Sequence, residues 1–276
     1  MQKIAVVTWP TTVRVRLSPQ DMMSMRNKVL LLLLILLCAS ACKHETNHCI
    51  GTKSPSEKKD VGDIVFSDGS ATPYTKELTL TDAQKKEVLA VIFYTGRACS
   101  NKNKKRTLGV GLHFLPQRCA WSLSSANGAK LCVDSIVCTA KRKGKKITFK
   151  GDVDGSDNFV QLAFFLRDSD ACSGDDTSLS ALYPAFDYAQ KYEAFSFNEG
   201  WYLPSIAELY ELFAHKSSVE DALLLCGGTS FDDKWFWSSS QCSSSRLNAY
   251  DLNFIAGDWN ENNKFYEEYV CVIREF

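Results

Sequence analysis

The sequence predicts an α+β protein in which two main helices pack on short antiparallel strands. Residues 183–195 and 205–213 carry apolar side chains at helical spacing, which is typical of amphipathic helices. Several short segments with strand-forming residues and turn signals follow them toward the C-terminus. No repeated alternation of strand and helix is visible, which argues against a parallel α/β sheet.

Composition narrows the class of protein further. The chain has 276 residues, which allow one or two domains, and 45% of them are hydrophobic, which excludes a wholly disordered chain. Lys plus Arg and Asp plus Glu both number 32, and this balance argues against a dedicated nucleic-acid binder. The 11 cysteines are too few for a disulfide scaffold in a chain of this length, and their pairing stays open.

The N-terminal region, residues 1–41, is predicted to be a signal peptide. Basic residues precede the aliphatic residues 29–37, and small residues then lead to Cys42. The apolar stretch has about nine residues, whereas a membrane-spanning helix needs ~20. The ending resembles a bacterial lipobox, which implies cleavage before Cys42 and a diacylglycerol anchor on that residue. An uncleaved signal anchor is the alternative, and Met25 is an alternative start of translation.

Residues 42–60 are predicted to form a flexible tether, because they are polar and charged and show no apolar periodicity. Within them, His44 to His48 match the H-E-x-x-H pattern of zinc proteases. That chemistry requires both histidines on one face of a helix inside a cleft. A polar segment beside a lipid anchor does not provide such a helix, so a metalloprotease is rejected.

Local signals place further elements along the chain. Capping boxes are predicted at Thr81, Ser205 and Ser217, and the first is expected to open a helix over residues 85–93. Strands are predicted over residues 61–66, 108–112, 235–240, 247–254 and 269–276. The basic run 141–146 lies between two apolar segments and is interpreted as a solvent-exposed hairpin turn rather than a nucleic-acid patch. The side chains expected in the core are Trp201, Leu203, Trp237 and Val272.

Four pieces of the second half resemble, in order, the bacterial domain family typified by the C-terminal domain of Legionella collagen-like protein. The pieces are residues 200–205 with Glu208 and Leu209, then 235–240, 248–250 and 270–274. The resemblance spans residues 183–276 and implies a C-type-lectin-like fold, shared with the formylglycine-generating enzymes, for a domain over residues 61–276. The first half is similar to spirochaetal surface lipoproteins such as the Treponema variable proteins, whose C-terminal segment is rewritten by a diversity-generating retroelement.

The segment after Trp237 is predicted to bind a ligand. It is rich in serine, asparagine and tyrosine, which on a rigid scaffold make a large and adaptable contact surface. The candidate ligand-binding residues are Arg246, Asn248, Tyr250, Asp251, Asn253, Asp258, Trp259, Asn260, Asn262 and Asn263. Tyr250 and Trp259 are the expected anchors, since aromatic side chains dominate binding hot spots. The resemblance implies that residues 243–263 are hypervariable, whereas an ordinary polar hairpin is the alternative on composition.

Nothing in the sequence indicates an enzyme, a metal or a cofactor. The formylglycine-generating enzymes use a cysteine pair and copper, but no cysteines here have the C-x-x-C spacing of a redox centre. His113 and His215 are isolated histidines, and no nucleophile elbow or phosphate loop is present. We therefore expect a surface-exposed lipoprotein of the bacterial envelope, in the outer membrane, that binds an extracellular protein or glycan and no nucleic acid. A structural envelope lipoprotein is the alternative, and a formylglycine-generating-type enzyme is a weaker one.

Overall fold

A computed structural model describes residues 49–168, 179–195 and 197–276 of the chain. Its compact unit spans Cys49–Phe276. The predicted signal peptide, Cys42 and the first part of the predicted tether lie outside the described residues. Within the described ranges, no helix combines the length and the apolar character that a membrane crossing requires.

The strands of the described residues assemble into three sheets. In chain order they are β1 (Asp63–Phe66), β2 (Ala71–Pro73), β3 (Val88–Gly96), β4 (Arg106–Gly111), β5 (Cys119–Ala120), β6 (Val137–Lys143), β7 (Lys146–Gly151), β8 (Trp201–Tyr202), β9 (Trp235–Cys242), β10 (Asn248–Asn253), β11 (Trp259–Asn263), β12 (Glu267–Glu268) and β13 (Ile273–Glu275). A six-stranded sheet has the order β2-β1-β3-β4-β13-β8, and a five-stranded sheet has the order β11-β10-β9-β6-β7. Strands β12 and β5 form a small third sheet. The strand pairs are antiparallel except β6 and β9, which run parallel.

Short helices cover these sheets. They are α1 (Asp82–Lys86), α2 (Asn158–Asp168), α3 (Leu179–Leu182), α4 (Pro184–Lys191), α5 (Ile206–Ala214) and α6 (Lys216–Leu225). The capping boxes predicted at Thr81 and Ser205 are both present, at the start of α1 and α5. The one predicted at Ser217 is wrong, because α6 already begins at Lys216 and its N-cap, His215, makes no side-chain capping bond.

The structure contradicts the predicted C-type-lectin-like fold of two main helices packed on short strands. The protein is mainly β, and its helices are short elements around two large sheets. The helix expected over residues 85–93 ends at Lys86, and the following residues form β3. Strand β3 lies inside the six-stranded sheet with buried side chains on both faces. Its apolar run is therefore continuous, and continuous runs do not distinguish a buried strand from a helix.

Two large hydrophobic clusters form the core, and the five-stranded sheet contributes to both. Successive residues of β9 point into different clusters, Phe236 into one and Trp237 into the other. The same alternation places Tyr250 and Ala249 of β10 in different clusters. Both strands are thus covered on both faces. The burial predicted for Trp201, Leu203, Trp237 and Val272 is confirmed.

The N-terminal boundary of the domain differs from the prediction. The backbone N–H of Gly51 donates to the Ser70 hydroxyl at 2.7 Å, and Lys53 pairs with Ala71 next to strand β2. The Lys53 ammonium lies 2.6 Å from a carboxylate oxygen of Asp63, which is almost fully buried. Residues 49–60 therefore belong to the folded unit, and the prediction of a flexible tether is wrong for them.

The basic run 141–146 forms the hairpin that was predicted from the apolar segments on either side of it. Strands β6 and β7 pair along their length, from Cys138 opposite Gly151 to Lys143 opposite Lys146. Gly144 closes the turn with a φ of 60°, a left-handed conformation that glycine adopts without strain. This hairpin positions the candidate site described below.

Candidate functional site

The segment 200–209 contributes to a buried centre around Glu208. One carboxylate oxygen of Glu208 accepts from Arg106 Nη1 at 2.8 Å and from Tyr202 Oη at 2.9 Å. The other accepts from the backbone N–H of Ser205 at 2.8 Å and of Gly155 at 3.0 Å. Burial raises the pKa of Glu208 to about 7. All donors around this carboxylate come from the fold itself, so the segment builds structure and leaves no open group for a ligand.

Arg106 completes this centre by joining three further parts of the chain. Its guanidinium lies 2.6 Å from Asp154 and 2.9 Å from Glu275, and only 3% of its side chain is exposed. It also donates to the backbone carbonyl of Cys99. We call Arg106, Glu208 and their partners the Arg106 centre.

The serine side chains of β9 also form hydrogen bonds within the fold. Ser238 Oγ donates to the carbonyl of Tyr250 at 2.9 Å, and Ser240 Oγ accepts from the N–H of Ile206 at 3.0 Å. Ser239 Oγ accepts from a buried asparagine side chain. All three serines are fully buried. Their contribution to a solvent-facing paratope, which composition suggested, is therefore a wrong prediction.

Two of the predicted ligand-binding residues are in the interior. Tyr250 is 1% exposed, and Asp251 is not exposed at all. Asp251 accepts from the Asn262 side chain at 2.9 Å and from the Asn260 N–H at 3.2 Å, and burial raises its pKa to about 6. Strand β10 lies between β9 and β11 and packs on both faces, so the side chains of its four central residues are buried. The prediction that Tyr250 and Asp251 face a ligand is wrong.

Other polar residues of the predicted surface divide into two groups. The side chains of the first group form hydrogen bonds with nearby backbone groups; this group consists of Asn248, Asn253 and Asn263. The second group, Arg246 and Asn260, is exposed. The structure therefore leaves only part of the predicted set accessible, and that part lies near strand β11 and the turns beside it.

Trp259 is the predicted anchor that stays partly accessible, and it belongs to an aromatic group. Its ring centroid lies 6.1 Å from that of Phe149 in β7 and 6.5 Å from that of Tyr210 in α5. Phe149 and Tyr210 are 5.6 Å apart. Each of the three side chains is half-buried. Three elements that are distant in sequence thus present aromatic edges on one surface.

Arg142 of β6 joins this aromatic group to the neighbouring turn. Its guanidinium lies 5.0 Å from the ring centroid of Trp259, which is within range of a cation–π contact. It also pairs with Asp258 at 2.5 Å and donates to the carbonyl of Gly257 at 2.8 Å. The side chains of Arg142 and Asp258 are 40% and 57% exposed. We call the set of Arg142, Phe149, Tyr210, Asp258 and Trp259 the Trp259 surface.

Of this surface, the amino-acid sequence indicated only Asp258 and Trp259 as candidate binding residues. Arg142 lies 116 residues from Asp258, and no local pattern connects them. A signal was present in the alternation of Ile147 and Phe149 within an otherwise basic hairpin, because an aromatic side chain there needs a surface to pack on.

Three buried cysteines of the described residues have raised thiol pKa values, and metal-binding side chains form no cluster in that part of the chain. Burial raises the pKa of Cys119, Cys138 and Cys226 to about 12, so these thiols are poor nucleophiles at neutral pH. Among the described residues, no group of three or more His, Cys, Asp or Glu side chains could hold a metal ion. The expectation that the protein is not an enzyme stays a prediction.

Comparison with known proteins gives a distant likeness of fold. No protein-family model matches the sequence, and no curated protein matches it. The fold is similar to that of a fimbrial protein from Bacteroides ovatus, with a TM-score of 0.54 over 79% of this chain and 15% sequence identity. The chain covers 49% of that protein, about half of its length. At this identity the likeness concerns the fold alone, and it agrees with the mainly β architecture.

Proposed function

We propose that this chain is a surface-displayed bacterial lipoprotein that binds a partner through the Trp259 surface. The observation that carries the proposal is Trp259 itself, a half-buried tryptophan held between Arg142 and two other aromatic rings. Tryptophan, tyrosine and arginine are the residue types most enriched in binding hot spots. The export signal and Cys42 supply the route to the surface, and the fimbrial protein of similar fold is compatible with display outside the cell.

The Trp259 surface has the physical features of a recognition site. Its aromatic side chains are fixed by mutual packing, so a partner would order few additional rotamers on binding. Arg142 and Asp258 are exposed enough to exchange part of their mutual pairing for polar contacts with a partner. A protein on another cell is the first choice of partner, and a glycan is the second.

The recognition proposal is tested by photo-crosslinking on intact cells. A photoreactive phenylalanine analogue at the exposed position Asn260 is expected to capture a discrete partner, whereas the same probe at Lys76, exposed on a different part of the domain, should capture none. Capture that depends on Trp259 supports the proposal. Equal capture from positions 260 and 76, or capture that survives Trp259→Ala, would contradict it.

The lipid anchor is tested separately. Radiolabelled palmitate is expected to label the native chain and not Cys42→Ala, since diacylglycerol is attached through the thiol. Protease added to intact cells should degrade the labelled protein if it lies on the outer face. Equal labelling of Cys42→Ala, or full protection from protease, would refute the assignment.

Diversification of the C-terminal segment also belongs to this proposal, in a narrower form. Tyr250 and Asp251 are fixed by burial, so only exposed positions such as Arg246, Asp258 and Asn260 can vary freely. Sequences of this locus from many isolates are expected to vary at the exposed positions and not at the buried ones. Uniform sequence throughout would remove retroelement-driven variation.

The fold likeness favours a second candidate, a structural subunit of a surface fibre without a ligand of its own. Such a protein should be found in high-molecular-weight assemblies on the cell, visible by electron microscopy with antibody labelling. Monomeric protein on the cell surface would favour recognition over assembly.

A further inference from the structure

Strand β7 forms one edge of the five-stranded sheet and pairs with a single neighbour, β6. Of the four strands at the edges of the two large sheets it is the longest, with six residues against five in β11, three in β2 and two in β8. An edge strand carries backbone N–H and C=O groups with which another strand can pair. The edge of β7 is therefore a place where a partner could extend the sheet.

The register of the β6–β7 hairpin shows which backbone groups of β7 are free. A two-residue turn joins the strands, so Lys143 and Lys146 exchange both backbone hydrogen bonds, and every second pair after them does the same. Ile147 and Phe149 belong to the intervening pairs, and their N–H and C=O groups point away from β6. Within the described residues, nothing forms a hydrogen bond with these groups of Ile147 and Phe149.

Two hydrogen bonds around the hairpin agree with this alternation. Ala140 lies opposite Phe149, and its N–H also points out of the hairpin, where it donates to the Tyr250 hydroxyl at 3.3 Å. The N–H of Asp152, just after β7, points inward and donates to the carbonyl of Val137 at 2.9 Å. The outward groups of β6 thus meet the rest of the domain, whereas those of β7 meet no further strand of the sheet.

The same register divides the side chains of the hairpin between two faces. Ala140, Ile147 and Phe149 share one face, and Ala140 and Phe149 pack there against a hydrophobic cluster of the core. The opposite face carries, in directly opposed pairs, Thr139 with Lys150, Lys141 with Thr148, and Lys143 with Lys146. Its four lysines are exposed, and residues 141–150 include no acidic residue. We call Lys141, Lys143, Lys146 and Lys150 the lysine face.

The stability of the hairpin does not account for the lysine face. Like charges directly opposite each other on paired strands repel, so Lys143 opposite Lys146 is unfavourable. Within the described residues, the lysine face forms no side-chain hydrogen bond or ion pair. Its positive charge is therefore available to the carboxylates of a strand that pairs with β7.

The chemistry of the edge selects its occupant. Every second side chain of an added strand would lie beside Lys146, Thr148 and Lys150, where acidic residues are favoured. The alternate side chains would lie beside Ile147 and Phe149, where apolar residues are favoured. A second copy of this edge would place lysine against lysine, which opposes self-association. We propose that β7 binds an extended segment of a partner protein, with alternating acidic and apolar residues, by antiparallel β-strand addition.

The test uses the full-length chain in detergent and a fluorescent peptide of alternating glutamate and valine, as long as the six residues of β7. Fluorescence anisotropy is expected to show binding. Methylating the backbone nitrogens of the valines removes the donors that face the carbonyls of Ile147 and Phe149, and should weaken the affinity by about tenfold or more. Methylating the glutamate nitrogens instead, which point away from β7, should leave the affinity within about twofold.

Two double variants of the chain locate the binding on β7. Lys146→Glu with Lys150→Glu should weaken binding of the glutamate–valine peptide by about tenfold or more, and a lysine–valine peptide should bind this variant instead. Lys76→Glu with Lys86→Glu, at exposed positions outside β7, changes the net charge equally and should stay within about twofold of the native chain.

The edge of β7 and the Trp259 surface are tested independently. Trp259→Ala should leave peptide binding within about twofold, because Trp259 contacts the ring of Phe149 and not its backbone groups. Absence of glutamate–valine peptide binding, equal losses with the two methylation patterns, or equal losses in the two double variants would each overturn the proposal. Self-association of the chain that the peptide displaces would assign the edge to a second copy and would overturn it as well.

Discussion

The Arg106 centre and the Trp259 surface contain the same kinds of side chain in opposite settings. Arg106 lies 5.8 Å from the ring of Tyr202 and pairs with three carboxylates at 3% exposure. Arg142 lies 5.0 Å from the ring of Trp259 and pairs with one carboxylate at 40% exposure. The first arrangement is closed by the fold, and the second is open on the side that faces solvent.

The difference shows which polar residues are free to serve a function. Removing one partner of a buried charge network leaves other charges desolvated and unpaired, so such a network is tied to folding. An exposed ion pair contributes little to stability, so its side chains can bind something else at small cost. We therefore assign folding to the Arg106 centre and propose recognition for the Trp259 surface.

The largest expected effect is the loss of Arg106. Arg106→Leu leaves the Glu208 carboxylate buried beside Asp154 without its cation, and it should lower the free energy of unfolding by about 3–5 kcal/mol. The matched change Arg142→Leu removes an exposed arginine with similar neighbours and should lower it by less than about 1 kcal/mol. Urea unfolding followed by tryptophan fluorescence measures both. Similar losses in the two variants would break the distinction between the two regions.

The next largest expected effect is a pH dependence of the free energy of unfolding, which arises from the carboxyl group of Asp251. Its pKa is raised to about 6 in the folded state, so the folded protein holds this proton more tightly than the unfolded chain does. The stability that the protonated carboxyl contributes is therefore fully present below about pH 4 and is lost as the pH rises through about 6.

Asp251→Asn removes this titration. Between pH 4 and pH 7 the native chain should lose about 2–3 kcal/mol of unfolding free energy relative to the variant. Asp152 titrates in both proteins and cancels in the difference. A difference that stays constant across this range, or that changes with the opposite sign, would show that Asp251 is not buried as described.

A smaller effect on stability is expected from the buried residue Ser240. Ser240→Ala removes the acceptor of the Ile206 N–H at the start of α5, and leaving that donor unpaired should cost about 1–2 kcal/mol. Ser243→Ala, at an exposed position just after β9, should stay within about 0.5 kcal/mol of the native chain. If thermal unfolding showed equal and negligible changes in stability for Ser240→Ala and Ser243→Ala, the burial of the serine run would be contradicted.

Sequence reasoning succeeded where the signal is local. The capping boxes at Thr81 and Ser205 and the hairpin turn at Gly144 depend on residues a few positions apart. The burial of Trp201 and Trp237 followed from large apolar side chains inside predicted elements.

It failed where the outcome depends on what covers a strand. The fold class was wrong because β3 is buried on both faces and its apolar run carries no period. Tyr250 and Asp251 were assigned to solvent because polar side chains on a strand usually face water, but β10 has a core on each side. The contact of Arg142 with Trp259 joins segments more than a hundred residues apart, and one sequence does not encode such a contact in any local pattern.

The most direct test of this division measures how tightly two variants of the chain bind one partner. That partner is the one captured by the photoreactive probe at position 260. Trp259→Ala removes the anchor of the open surface, and Tyr250→Phe removes only the hydroxyl of a buried side chain that sequence composition had assigned to the same role. We predict that Trp259→Ala weakens binding by about 30-fold or more, as expected of a hot-spot residue, while Tyr250→Phe stays within about twofold. A loss with Tyr250→Phe that equals or exceeds the loss with Trp259→Ala would contradict the assignment of recognition to the Trp259 surface.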